Sequence, residues 1–132
     1  MIRKAPIFPR RIREIRGSFA FIEHRFLRDG FFASLDQTER SLYLFLTLAS
    51  DRQGLSYYGY DKICRLNGML LEDYIRARDG LIDKDLVAFD GTLFQVLSLP
   101  ERPLEVAKPS SGRADGQRRG PVSMGEIMEK AL

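Results

Sequence analysis

The chain has 132 residues, 44% of them apolar, with one cysteine and a formal net charge of +3. That length suits one domain with tails and a modest core, and no apolar run approaches the roughly twenty residues that a membrane helix needs. One cysteine rules out an intramolecular disulfide and fits a reducing, cytoplasmic setting, and the start of the chain has proline and arginine where a secretory signal carries its apolar core.

Residues 1–17 read as a basic arm. Arg3, Lys4, Arg10, Arg11, Arg13 and Arg16 face only Glu14, whereas residues 17–99 hold nine basic against twelve acidic side chains. The excess of positive charge therefore belongs to the arm and not to the body. Pro6 and Pro9 disfavour a helix there, and Ile12 and Ile15 are too few to define a core face. A short basic segment of this kind suits a phosphate backbone, and a solvated tail has the same composition.

Ser18 is placed to cap a short helix with Ile22 and Phe26 on one side and Asp29 and Gly30 as its stop. Phe19, Phe21, Phe31 and Phe32 make this region aromatic. Their expected role is to fill the core or a dimer interface, ahead of base stacking, because stacking platforms carry interleaved basic residues on strands. Next, Asp36 with Glu39 three residues later has the form of a capping box, and Leu42, Leu46 and Ala49 repeat at helical spacing. Tyr43, Leu44, Phe45 and Leu48 are apolar too, so this helix is expected to lie centrally or in a subunit contact. Residues 51–54 end it, and residues 55–58 suit a short edge strand.

Residues 60–87 then read as two helices joined by a tight turn at Asn67 and Gly68. Ile63, Cys64 and Leu66 mark the apolar side of the first; Tyr74, Ala77 and Leu81 step by three and four along the second. Strands are expected over 86–89 and 92–99, with Asp90 and Gly91 as a two-residue turn. Pro100 closes the domain. Residues 100–121 have the proline, glycine, serine and mixed charge of a flexible linker, and residues 122–132 form a short amphipathic run that needs a surface to dock on, in this chain or on a protein partner.

Little in the sequence points to catalysis. His24 sits between Glu23 and Arg25 as an exposed or structurally bonded residue, Cys64 falls at a small-residue position between helices, and neither a glycine-rich phosphate loop nor a cysteine and histidine cluster at metal spacing is present. Asp83 and Asp85 read as a solvated helix end. The expectation is a non-enzymatic protein with no cofactor and no metal.

The order of helix, short strand, helix, turn, helix and hairpin is that of a winged helix. The segment GMLLEDYIRARDGLIDKDLV, residues 68–87, resembles the winged helix-turn-helix of bacterial DNA-binding proteins, where a glycine and an apolar residue open the recognition helix and an apolar pair closes it. Residues 21–46 followed by DRQGLS at 51–56 are similar to the N-terminal domain of plasmid replication initiators, with Leu35, Leu42, Tyr43, Leu46, Asp51, Arg52, Leu55 and Ser56 at matching positions. Together the two likenesses cover about residues 19–99. Three positions depart from the pattern: Leu70 stands where Ser or Thr usually caps, Gly80 interrupts the helix, and Arg78 replaces a core leucine.

The resemblance implies an α+β fold, mainly α with a small β-hairpin, and a protein that binds double-stranded DNA as a regulator or as a replication accessory factor of a mobile element. Arg10, Arg11, Arg13 and Arg16 are then the backbone or minor-groove contacts, Lys62 and Arg65 anchor the first helix to phosphate, and Arg76 meets the major groove. Glu72 and Asp73 lie on the same face as Arg76 and repel phosphate, so affinity is expected to come from the arm. A homodimer through the aromatic N-terminal region is expected as well. The alternative is a winged helix used for protein interaction or dimerisation without DNA, which the acidic body suits.

Overall fold

A computed structural model of the chain describes residues 4–104 as a small α+β domain of four helices and a three-stranded antiparallel sheet. Residues 105–121 of the expected linker and the amphipathic run at 122–132 lie outside the described residues.

The central helix, α2 (Gln37–Ala49), begins as its sequence requires. Glu39 N donates to Asp36 Oδ1 at 2.9 Å and Asp36 N donates to Glu39 Oε1 at 2.9 Å, so both halves of the capping box are made. Leu42, Tyr43, Leu46 and Thr47 form its buried stripe. Its opposite side is wetter than its composition suggests, because Leu44 and Leu48, one turn apart, are exposed.

Helices α3 (Tyr60–Asn67) and α4 (Leu71–Asp83) close against α2 through Ile63, Tyr74, Ala77 and Leu81. Gly68 takes φ +65° between them and Met69 N returns to the Cys64 carbonyl at 3.0 Å, a left-handed cap that glycine adopts with little strain. The Ser41 hydroxyl donates to Asn67 Oδ1 at 2.9 Å and pins the end of α3 to α2. Leu70 at the start of α4 provides no side-chain cap. Mid-helix Gly80 has a tertiary reason: the buried Glu39 carboxylate occupies the space where a Cβ would project. There Glu39 accepts from Lys84 Nζ at 2.7 Å. Burial raises the Glu39 pKa, while the lysine's charge acts in the opposite sense.

The sheet runs in the order β1-β3-β2, with β1 (Leu55–Ser56) and β2 (Val87–Phe89) on either side of β3 (Phe94–Val96). Leu55 pairs with Gln95, Val87 with Val96 and Phe89 with Phe94. All three strands are shorter than the alternation predicts. In the hairpin the cause is local: Asp90 Oδ1 accepts from Thr92 N at 2.9 Å and Leu93 N at 2.7 Å. These bonds replace the two-residue turn with a loop over 90–93 whose amides are held by a side chain.

The helix expected from Ser18 is the main departure. Only α1 (Arg25–Arg28) is helical, and residues 18–22 have no regular structure. Phe19 and Phe21 alternate with a period of two, which cannot hold one helix face, and the remaining turn is too short to propagate. The aromatic region consequently divides. Phe26 stacks on Tyr43 with ring centroids 4.7 Å apart and on Phe31 at 6.2 Å, within the core, whereas Phe19 and Phe21 face outward. Arg25 donates to the carbonyls of Pro100 at 2.7 Å and Glu101 at 3.0 Å, which ties the end of the sheet region to α1.

Candidate nucleic-acid interface

The fold places α4, the start of α3 and the 90–93 loop around one open groove of about 510 Å³. Tyr57, Tyr58 and Tyr60 form one wall, Leu71, Tyr74 and Ile75 the second, and Phe89, Gly91 and Thr92 the third. Arg78 lines it too. Its guanidinium is 5.7 Å from the Tyr74 ring centre and 5.6 Å from that of Phe89, and it is paired with Asp79 at 3.0 Å. Aromatic rings near a planar cation help to hold Arg78 half-buried beside the groove. Burial raises the Tyr74 hydroxyl pKa and the nearby Arg78 charge opposes the rise.

Lys62 and Arg65 are both exposed on α3, and the Lys62 ammonium stands 5.5 Å from the Tyr58 ring centre. Arg65 makes no ion pair among the described residues. Arg76 does: it is bonded within its own helix to Asp73 at 2.9 Å, so it brings little net charge to the outer face of α4. That face also carries exposed Glu72, Asp79 and Asp83.

Arg10, Arg11, Arg13 and Arg16 are exposed. Arg10 and Arg11 belong to a short 3-10 turn, Pro9–Arg11, closed by Arg11 N on the Phe8 carbonyl at 3.0 Å; it packs against neither α3 nor α4. Arg16 is paired with Glu14 at 2.8 Å. Ile7, Phe8, Ile12 and Ile15 are exposed between these cations, so the arm has no apolar anchor of its own. The candidate cations thus form two groups, one along the arm and one on the helix pair, and among the described residues no direct contact joins them.

The hydroxyls of Tyr57, Tyr60 and Thr92 are polar donors that the sequence does not single out. The available signal is the run of three tyrosines around Gly59, which an edge strand over 55–58 explains equally well. Cys64 is half-buried with its thiol pKa raised, first by burial and then by the Asp61 charge, so it is a poor nucleophile. Among the described residues no group of three His, Cys, Asp or Glu side chains is arranged to hold a metal, and no helix is long and apolar enough to cross a membrane.

Asp90 makes the loop tip sensitive to acid. The amides of Leu93 and Thr92 hold its carboxyl below the ordinary value of 3.8. A folded pKa below the unfolded one means that the stabilisation is present at neutral pH and lost as pH falls below 3.8 through the folded value. The Thr92 and Leu93 amide NMR signals should therefore shift together in that window, and Asp90→Ala should abolish the shared titration.

Comparison of the chain with protein-family profiles, with characterised proteins and with solved structures finds no match.

Proposed function

We propose that this is a winged helix-turn-helix protein that binds double-stranded DNA, as a regulator or a replication accessory factor of a mobile element. The observation that carries the reading is the groove in which the hairpin loop stands beside the first turns of α4 and the tyrosine run. In a winged helix, α4 enters the major groove while the loop and the preceding helix grip the backbone on either side. Tyr57, Tyr60 and Thr92 donate to phosphate there, joined by Lys62 and Arg65. Since Arg76 and Asp79 are each paired within α4 and its outer face keeps Glu72 and Asp83 without an ion-pair partner among the described residues, most of the affinity comes from the four arm arginines.

Titration of a labelled duplex at several salt concentrations tests this. Replacing Arg10, Arg11, Arg13 and Arg16 by alanine is expected to weaken binding for every sequence and to reduce the slope of log affinity against log salt by about 3 to 4, because each neutralised phosphate contributes about 0.9. An unchanged slope removes the arm from the interface; absence of salt-sensitive binding by the intact chain removes DNA as the ligand.

One observation favours a second reading, a protein-interaction module. Leu71, Ile75 and Ile82 are exposed on α4 next to its acidic face, a combination better suited to a basic, apolar protein surface than to phosphate.

A further inference from the structure

The outward division of the N-terminal aromatics creates a surface with its own consequence. Phe19 is 65% exposed and Phe21 69%, although both belong to the segment that crosses the end of α2. On α2, Leu44 is 51% and Leu48 67% exposed, one turn apart on the face turned away from the core. Phe19 and Leu48 border the same shallow depression above residues 50–53, and Phe21 and Ile22 continue along the neighbouring cleft toward residues 96–99. Phe19 borders both depressions, so Leu48, Phe19, Phe21 and Ile22 follow one another along the surface, with Leu44 one turn from Leu48 on α2.

We infer that this face is the contact between two copies of the chain, related by a two-fold axis. Area is the first argument. Two aromatic rings about two-thirds exposed, with two leucines and Ile22, present on the order of 500 Å² per copy, so pairing buries roughly 1,000 Å² in all, the lower bound for a specific interface. Charge is the second. The cleft is lined by Glu23, Asp51 and Arg52, and in an isologous contact residue i of one copy meets residue j of the other while j meets i, so each copy's Arg52 can face a carboxylate of the other and the pairing is made twice. A face that is apolar at the centre and mixed in charge at the rim has the usual anatomy of a homodimer contact. The inference does not depend on DNA binding, because none of these residues lines the groove beside α4.

Sedimentation equilibrium of the full chain, from about 1 to about 200 µM, reads the association directly. A dimer mass is expected in that range. Leu44→Gln with Leu48→Gln should weaken it about 100-fold while leaving the far-ultraviolet circular dichroism unchanged, since neither side chain contributes to the core. Should that variant fail to fold, filtered NMR on a mixture of labelled and unlabelled protein keeps the question open to refutation. It should give intermolecular contacts between the Phe19 or Phe21 rings and the Leu44 or Leu48 methyls. A monomer at the highest concentration overturns the inference, as does a dimer that the folded leucine variant leaves intact or one without those intermolecular contacts.

Discussion

Replacing Gly54 by alanine is expected to destabilise the domain by about 3–5 kcal/mol, more than any other single methyl addition at a positive-φ glycine among the described residues. The loop from α2 to β1 is closed tightly. Asp51 N donates to the Leu55 carbonyl at 2.9 Å, Gly54 N to the Asp51 carbonyl at 3.0 Å, and Asp51 Oδ1 accepts from Gln53 N at 2.8 Å and Leu55 N at 3.0 Å. These bonds hold Gly54 at φ +85°. Its carbonyl then accepts from Val96 N at 2.8 Å, and this extends the pairing between β1 and β3 by one bond. An added Cβ would be driven against the Val96 carbonyl oxygen, with the Val96 carbonyl carbon and amide nitrogen 3.3 Å away. Backbone cannot rotate aside as a side chain can, so the two strands must separate and the Val96 amide loses its partner.

Gly68 provides the internal comparison. It also has positive φ, at +65°, but nothing lies within 4 Å of the position its methyl would take, so Gly68→Ala should cost only about 1 kcal/mol of backbone strain. Urea titration of both variants separates the two effects. The Gly54→Ala midpoint should fall several times further, at an unchanged slope. A loss at Gly54 no larger than that at Gly68 would show that contact with Val96 does not govern this position.

The contrast between these two glycines also marks what a sequence can disclose. Gly68 follows a helical pattern ending in Asn67, and its role as a left-handed cap is written in adjacent residues. The same is true of Asp36 with Glu39, and of Tyr74, Ala77 and Leu81. Gly54 differs because its requirement comes from Val96, which is distant in the chain, and no local spacing reports it. Phe19 and Phe21 fall between the two cases: their alternation disfavours a helix face, but whether they point inward depends on Phe26 and Phe31 having already filled the space against Tyr43. The candidate interface follows the same division. Lys62, Arg65 and Arg76 are accessible from helical spacing, as is the i,i+3 pairing of Arg76 with Asp73 within α4, but the meeting of Tyr57, Tyr60 and Thr92 across a groove arises only when the loop, α3 and α4 are brought together.

The second large effect is a change of sign at Gly80. In an exposed helix interior, glycine to alanine stabilises by about 1 kcal/mol. Here the alanine methyl would collide with the Glu39 carboxylate, whose Cδ is 3.0 Å from the Cβ position. Glu39 is only 6% exposed. It cannot simply swing into water without giving up the bond from Asp36 N, which closes the capping box of α2, and the 2.7 Å pair with Lys84. Loss of the cap costs about 1 kcal/mol and disruption of a largely buried pair about 3, so Gly80→Ala is expected to be destabilising by about 2–3 kcal/mol after its helical gain is counted. With Glu39→Ala already in place the obstacle is gone, while Lys84 Nζ retains the Ser34 carbonyl at 2.9 Å. In that background Gly80→Ala should stabilise by about 1 kcal/mol. Denaturant unfolding of the four proteins in the cycle measures the coupling, and equal effects of Gly80→Ala in both backgrounds would exclude the Glu39 carboxylate as the reason for a glycine in the middle of α4.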